Sequence, residues 1–182
     1  DRIDGRRVWL SGSCRLLDPA DPPHSSVIIT LHDITDQHVA RQHLTYQATH
    51  DALTGLPNRT HILSCITALT HPSNGRRLGA VLFLDLDNLK IINDTLGHAA
   101  GDDVLRLAAQ RLRHALDPED IVGRWGGDEF VILLFGDLTH IDVDRQARAL
   151  HNTLSAPMNL QETTLHIHAS IGSTLIRPDE QR

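Results

Sequence analysis

Two stretches decide the reading of this chain: Leu78-Gly79-Ala80-Val81-Leu82-Phe83-Leu84-Asp85-Leu86-Asp87 and, further along, Trp125-Gly126-Gly127-Asp128-Glu129-Phe130. Leu78 to Leu84 is a continuous apolar run of strand length, which predicts a strand buried on both faces. Carboxylates at i and i+2 of a strand point the same way, so Asp85 and Asp87 leave it together at its exit, where ligand sites commonly lie. Acids that close an apolar run are costly to bury unless a cation meets them. A hard divalent ion suits them, and Mg²⁺ takes one or two carboxylates plus phosphate oxygens. The second stretch predicts a hairpin, with strands Ile121–Trp125 and Glu129–Phe135 separated by Gly126-Gly127. Two glycines let the backbone turn tightly and let a ligand approach it closely. Asp128 and Glu129 would then complete a carboxylate cluster if the hairpin lies beside the first strand.

Between the two stretches runs Lys90-Ile91-Ile92-Asn93-Asp94-Thr95-Leu96-Gly97-His98-Ala99-Ala100-Gly101-Asp102. Backbone amides that open a helix near Asn88 to Lys90, together with the lysine, would cradle phosphate. Asn93 and Asp102 offer an amide and a carboxylate, a pairing that matches the donor and acceptor edge of guanine. Gly97 is expected to end the short helix as a C-cap. Residue chemistry alone therefore points to metal-dependent phosphoryl or nucleotidyl transfer. Asp87, Asp94 and Asp103 read as turn, capping or surface acids, and Arg124 as either a phosphate or partner contact or an ion pair on the hairpin.

Outward from this centre, Asn58 is a plausible cap for a helix carrying Ile62, Leu63, Ile66 and Leu69 on one face, with Cys65 on its apolar side. A second helix, 101–116, turns Val104, Leu105, Ala108, Leu112 and Ala115 inward, and a third, 141–154, has Val143, Ala147, Leu150 and Leu154 in phase. Thr164 to Leu175 reads as a strand paired with the stretch near Met158-Asn159-Leu160. Helix, strand, helix, strand, strand, helix, strand is an α+β order, a sheet with helices packed on it. Before it come strands at Arg6–Leu17 and Val27–Leu31 around the proline-rich turn 18–23. Two strands are too few to stand alone, so they read as the closing hairpin of a domain that starts before Asp1. The Gly- and Pro-free stretch Thr35 to His50 follows, its thin stripe of Ala40, Leu44 and Ala48 suited to a connector helix that pairs with its own copy.

Composition sets the outer limits. The 182 residues carry 17 Lys+Arg against 23 Asp+Glu, a net charge of −6, which speaks against a nonspecific grip on DNA or RNA. At 40% hydrophobic and 22% charged the chain is globular rather than disordered. Two cysteines, Cys14 and Cys65, exclude a disulfide framework or a zinc ribbon. Among the 13 histidines, His166 and His168 would share one strand face but lack a third ligand in phase for structural zinc. With no apolar run of membrane-spanning length and no signal peptide, the chain reads as a piece of a larger cytoplasmic protein, which could be tethered to a membrane elsewhere.

Gly126-Gly127-Asp128-Glu129-Phe130 is the signature of the GGDEF family, the diguanylate cyclases. Asp51-Ala52-Leu53-Thr54-Gly55-Leu56-Pro57-Asn58-Arg59 resembles the family's opening motif, and Asp85 through Asp94 with Gly97-His98 and Gly101-Asp102 resembles its central one. Three motifs in order and at family spacing cover about Asp51 to Gly172. Asp33-Ile34-Thr35-Asp36 resembles the tail of a PAS sensor domain. The resemblance implies three parts: residues 1–33 as the last hairpin of a PAS-like domain, 34–50 as a signalling helix, and 51–182 as a GGDEF domain. The last is expected to have a nucleotide-cyclase palm-like (ferredoxin-like) central sheet with helices packed on it.

The activity implied is condensation of two GTP into cyclic di-GMP and two pyrophosphates, each subunit of a homodimer holding one GTP. By motif position, Asp85, the Leu86 carbonyl, Asp128 and Glu129 are expected to hold Mg²⁺ or Mn²⁺, with Asp128 as the base. Asn93, His98 and Asp102 are expected at the nucleoside, Gly126 and Gly127 to leave room for phosphates, and Lys90 to meet the β- and γ-phosphates. Three positions depart from the family pattern. Asp117-Pro118-Glu119-Asp120 lacks the arginine of the family's Arg-x-x-Asp product site, which speaks against product inhibition there. Leu89 replaces the usual phenylalanine, an apolar exchange expected to be tolerated. Arg182 precedes the closing helix with the family's Ala-Leu-Tyr-x-Ala-Lys motif, so the fragment is expected to bind GTP weakly or not to turn over. The alternative reading is a catalytically silent GTP-binding and dimerisation module that regulates an adjacent cyclic di-GMP phosphodiesterase domain. Degenerate family members usually lose an acid or a glycine of the signature, and here all are present.

Overall fold

The computed structural model describes residues 7–17, 20, 26–69, 77–160 and 163–176. Of the expectations above, Arg6, most of the proline turn at 18–23 and the Leu69 side chain lie outside them. The chain divides into two compact units, Asp1–Ala48 and Thr49–Arg182.

The first unit holds β1 (Leu10–Leu16) and β2 (Val27–Asp33), antiparallel with Leu10 opposite Asp33 and Leu16 opposite Val27. Asp33 then organises the chain's exit from the hairpin. Its Oδ1 accepts from the Thr35 amide (3.0 Å) and hydroxyl (2.6 Å), while Thr35 Oγ1 accepts from the Trp9 amide (2.9 Å). Helix α1 (Thr35–Thr49) begins there and buries none of its residues; Leu44, on the predicted stripe, is 64% exposed. Among the described residues no helix is long and apolar enough to cross a membrane.

The second unit is built on β3 (Leu78–Leu86), the apolar run of the opening stretch. Its neighbours are β5 (Glu129–Phe135) on one side and β8 (Ala169–Leu175) on the other, with β4 (Ile121–Gly126) beyond β5. The order β4-β5-β3-β8 is antiparallel throughout. Helices α2 (Arg59–Leu69), α3 (Leu89–Leu96), α4 (His98–Ala115) and α5 (His140–Ser155) connect the strands. Strand, helices, two strands, helix, strand in this spatial order is the ferredoxin-like arrangement of the cyclase palm. Short strands β6 (Met158–Leu160) and β7 (Thr163–Leu165) form a separate hairpin.

Period-two alternation assigns the faces. Leu82, Leu84 and Leu86 of β3 join Phe130, Ile132 and Leu134 of β5 in one core with Val104, Ala108 and Leu112 of α4 and Val143, Leu150 and Leu154 of α5. Val131 and Leu133 pack on the opposite face with Ile62 of α2, with Cys65 and Ile66 partly buried beside them. Two local devices hold the helices. Asn58 Oδ1 accepts from the His61 amide (3.0 Å) at the start of α2. Thr139 and Asp142 form a reciprocal capping box at the start of α5. At the other end of α5, Arg111 from α4 donates to the carbonyls of Leu154 (3.2 Å), Ala156 (2.5 Å) and Pro157 (2.6 Å), satisfying acceptors a helix terminus leaves open.

Four expectations need correction. The β3 strand is covered on one face only over its second half, because α2 lies over β4 and β5, and Phe83 stays 47% exposed with its ring edge-on to Trp125. Leu63 also faces out, since α2 meets the sheet along Ile62, Cys65 and Ile66. The strand read over Thr164–Leu175 is two: β7 turns back on β6, and β8 starts afresh at Ala169 beside β3. His166 and His168 therefore lie in the break, with Ile167 buried between them, and His168 stacks toward His151 instead (6.3 Å). Leu89, the apolar exchange, is buried in the main core.

The two faces of β3 predict opposite costs. Leu84→Ala should destabilise the domain by about 2–5 kcal/mol, whereas Phe83→Ala should cost about 1 kcal/mol or less. Urea unfolding of the two variants checks this, and equal losses would contradict the assignment of faces.

Candidate active site

The antiparallel register sets Asp85 directly opposite Glu129 on β5 and Ser170 on β8. Asp85 alternates with Leu84 and Leu86, so it projects on the face away from the main core, and both Asp85 and Glu129 are exposed. The Leu86 amide donates to the Asp128 carbonyl (3.2 Å) and the Asp87 amide to the His168 carbonyl (3.0 Å), which fixes the end of β3 between its neighbours. Asp87 Oδ1 accepts from the Ser170 hydroxyl (2.9 Å), in keeping with a structural acid.

Like charges directly opposite on a sheet repel. Burial, and then the charges of Asp128, Glu129 and Asp87, hold the Asp85 carboxyl above the usual carboxylate range. Among the described residues no ion pair reaches Asp85, Asp128 or Glu129. Nor, among them, does any group of three His, Cys, Asp or Glu side chains converge closely enough to hold a metal ion. The hairpin does lie beside β3, but the acids are coupled through their charge and do not form a ready-made cage. The donor set, oxygen-only and without a protein cation, fits a hard divalent ion that brings further ligands of its own. Asp85, the Leu86 carbonyl, Asp128 and Glu129 are the groups that would hold it.

The hairpin turn is tighter than its sequence suggested. Gly126 pairs with Glu129, so the two turning residues are Gly127, at φ 53°, and Asp128. Gly127 needs its left-handed backbone. Gly126 does not, and among the described residues beyond its chain neighbours a Cβ on it would meet nothing within 4 Å, so neither conformation nor packing explains this glycine. The space above it is open to a ligand.

Helix α3 starts directly after Asn88, whose φ of 64° turns the chain out of β3. Its first-turn amides, with exposed Lys90, lie next in sequence to the acids at the strand end. Gly97, at φ 88°, ends α3 and opens α4, and its amide donates to the Asn93 carbonyl. His98 is the exposed first residue of α4. Gly101 is buried where α4 meets α3: a Cβ there would stand 1.9 Å from Asn93 Oδ1. This brings the Asn93 side chain against Gly101, the residue before Asp102. Asp102 is half-exposed, and Arg106 is engaged by Asp103 (2.6 Å) more closely than by Asp102 (3.9 Å).

Arg124 was open between phosphate and ion pair, and the structure shows the ion pair. Its Nη1 meets Asp51 Oδ1 at 3.0 Å, and its Nε and Nη2 donate to the Gly127 carbonyl at 3.0 and 2.7 Å. Burial pushes the Asp51 carboxyl up, but the Thr54 hydroxyl and amide, then Arg124, outweigh it and leave it below its ordinary value. Pairing across so long a stretch of chain carried no local signal. At the place of the family's product site, Asp120 Oδ1 accepts from the Phe135 amide (3.1 Å), a structural bond.

Sheet order and acidic edge together define a palm domain of the cyclase type. The profile of the family described as "Diguanylate cyclase, GGDEF domain" matches residues 48–182, and the chain belongs to that family. It is 43% identical over 134 residues to diguanylate cyclase TpbB of Pseudomonas aeruginosa (strain UCBPP-PA14), covering 72% of this chain and 31% of that protein. It is 35% identical over 182 residues to the cyclic di-GMP phosphodiesterase NbdA of Pseudomonas aeruginosa (strain PAO1), covering 96% of this chain and 22% of that one. The solved structure of a shortened TpbB comprising only the GGDEF domain matches with a TM-score of 0.65 at 40% identity, over 71% of this chain and 76% of that one. The chain thus spans under a third of the curated relatives just named.

The raised Asp85 carboxyl has a signed consequence. A group that binds its proton more tightly when folded loses stability as pH rises from its unfolded value through its folded one. Asp85→Asn should therefore match the parent near pH 3 and melt higher at pH 7, and only the parent should gain from added MgCl₂. Thermal melts with and without MgCl₂ at both pH values check this.

Proposed function

We propose that this domain is a diguanylate cyclase: two GTP are condensed into cyclic di-GMP, and two pyrophosphates leave. The observation that carries the reading is the register that sets Asp85 against Glu129 beside the Gly127-Asp128 turn, with Gly126 open to a ligand. In each half-reaction a ribose 3′-hydroxyl forms a bond to the α-phosphorus of the other GTP as the bond to pyrophosphate breaks, and the hydroxyl proton passes to a carboxylate or water. In this reading Asp128 is the carboxylate that takes that proton. A bound Mg²⁺ or Mn²⁺ would polarise the α-phosphate and lower the pKa of the hydroxyl. Lys90 and the opening amides of α3 neutralise and orient the β- and γ-phosphates. Asn93 and Asp102 read the guanine edge, with His98 beside the nucleoside.

One chain carries one such site, and the reaction needs two GTP face to face. We therefore read the catalytic unit as a homodimer, with α1 as the helix through which an upstream PAS-like hairpin and its sensor domain present the two copies. Bringing the two halves together supplies rate without changing any residue of the site. Activity of this kind belongs in the cytoplasm, where GTP is. A second reading, a silent GTP-binding module acting on a phosphodiesterase domain, draws its support from the similarity to NbdA along 96% of the chain. The intact acids favour the cyclase.

Two experiments separate these readings. With GTP and Mg²⁺ the full-length protein should yield cyclic di-GMP by mass, with a specific rate that rises with protein concentration. Asp128→Ala and Glu129→Ala should each lose about a hundredfold or more in turnover. GTP binding without product would instead support the silent module.

Gly101→Ala tests the base-reading seam. Alanine is the better helix former by about 1 kcal/mol, so the fold should hold. The new methyl displaces the Asn93 amide, and GTP affinity should fall about tenfold, with discrimination against ATP weakened. Calorimetric titration with both nucleotides measures it.

A further inference from the structure

Arg124 makes its contacts from β4, two residues before the turn. Its side chain is 13% exposed and that of Asp51 24%, so the pair is largely withdrawn from water. Nη1 reaches both Asp51 oxygens (3.0 and 3.3 Å), while Nε and Nη2 converge on the Gly127 carbonyl. The Arg124 amide also donates to the Pro57 carbonyl (2.9 Å), so the segment that follows α1 and the hairpin meet at this one residue. Asp51 matches its charge, and the Nε–Nη2 edge of the guanidinium is committed to the Gly127 carbonyl.

The Gly127 carbonyl belongs to the peptide that enters Asp128. Among the described residues, chain neighbours aside, no atom lies within 4 Å of where a Cβ would sit on Gly126 or Gly127, so the turn is open on its glycine side. What holds it is the pairing of Gly126 with Glu129, the Leu86 amide on the Asp128 carbonyl, and Arg124 on the Gly127 carbonyl. The peptides on both sides of Asp128 are thereby fixed, one from β3 and one from Arg124. We infer that Arg124, anchored by Asp51, is a positioning residue: it clamps the Gly127–Asp128 peptide and so fixes the backbone that carries the Asp128 carboxylate beside the end of β3. Its consequence for turnover rests on the cyclase reading, but its consequence for the turn does not.

Arg124→Lys is the informative variant, because one ammonium cannot span the Asp51 carboxylate and the Gly127 carbonyl as the fork does. In the full-length protein it should melt within a few degrees of the parent and bind GTP within about threefold. Turnover should fall about 10- to 100-fold, the cost expected of a misplaced reacting group. Hydrogen exchange should quicken in the 126–129 turn while β3 and α4 keep their protection. Asp51→Asn should act in the same direction, and the double variant should be no worse than the poorer single one, since the two work as a unit. Parental turnover in Arg124→Lys, a loss confined to GTP affinity, or faster exchange throughout the domain would each overturn the inference. If the parent makes no cyclic di-GMP, the cyclase reading falls and exchange alone judges Arg124. A quickened turn then upholds the clamp, and an unchanged one overturns it.

Discussion

A slip of one residue in the pairing of β3 with β5 would turn the second unit inside out. Side chains alternate across a sheet, so the register that buries Leu82, Leu84, Phe130 and Ile132 is also the one that sends Asp85 and Glu129 to the open face. The apolar core and the acidic edge are two readings of a single alignment. Core burial drives the pairing, and the carboxylates are brought together as its consequence. Their mutual repulsion is tolerable because Asp85 and Glu129 remain in contact with water, where charge interactions are weak. A site of this sort is held open by the stability of the leucines behind it.

The backbone completes what the register starts. Gly127 turns the chain at a φ that other residues avoid, and the carbonyls that flank Asp128 are taken by Leu86 and Arg124. On the helical side, Gly101 allows α4 to close on the Asn93 side chain. Glycine therefore serves three purposes at one site: strain relief at Gly127, close helix approach at Gly101, and open space at Gly126. The last has no structural use in the folded chain. It makes sense when a phosphate-bearing ligand has to come against the main chain there.

Much of this was legible in the residues. The β3 strand, the β4–β5 hairpin, the Asn58 cap and the end of α3 at Gly97 all follow from local periodicity and turn chemistry, though the hairpin turns one residue later than read and α4 starts three residues earlier. What periodicity cannot say is which face of a strand finds a partner. Phe83 belongs to an apolar run, yet α2 covers β4 and β5 instead of it. Nor can it break an apolar stretch that changes partners: the segment 163–175 keeps strand character while leaving β6 for β3 across Ile167. Arg124 and Asp51 were visible as charges but not as a pair, because a contact 73 residues apart leaves no local trace. Family motifs single out the acids along the chain and say nothing of what holds them in place.

The two functional readings part on chemistry rather than on fold. A module that merely bound GTP would need the phosphate-facing amides, the open Gly126 and the Asn93–Gly101 seam, all of which concern recognition. It would have no use for carboxylates whose charges raise the proton affinity of Asp85 beside the nucleotide's negative charge, since those oppose binding of GTP unless a cation intervenes. Keeping Asp85, Asp128 and Glu129 together works against a pure binding role and in favour of a reaction in which a cation and a proton acceptor are both required. The bonds to the main chain around Asp128 argue the same way. Recognition tolerates a loosely held acid, whereas proton transfer to a carboxylate demands that its position be set before the substrate arrives.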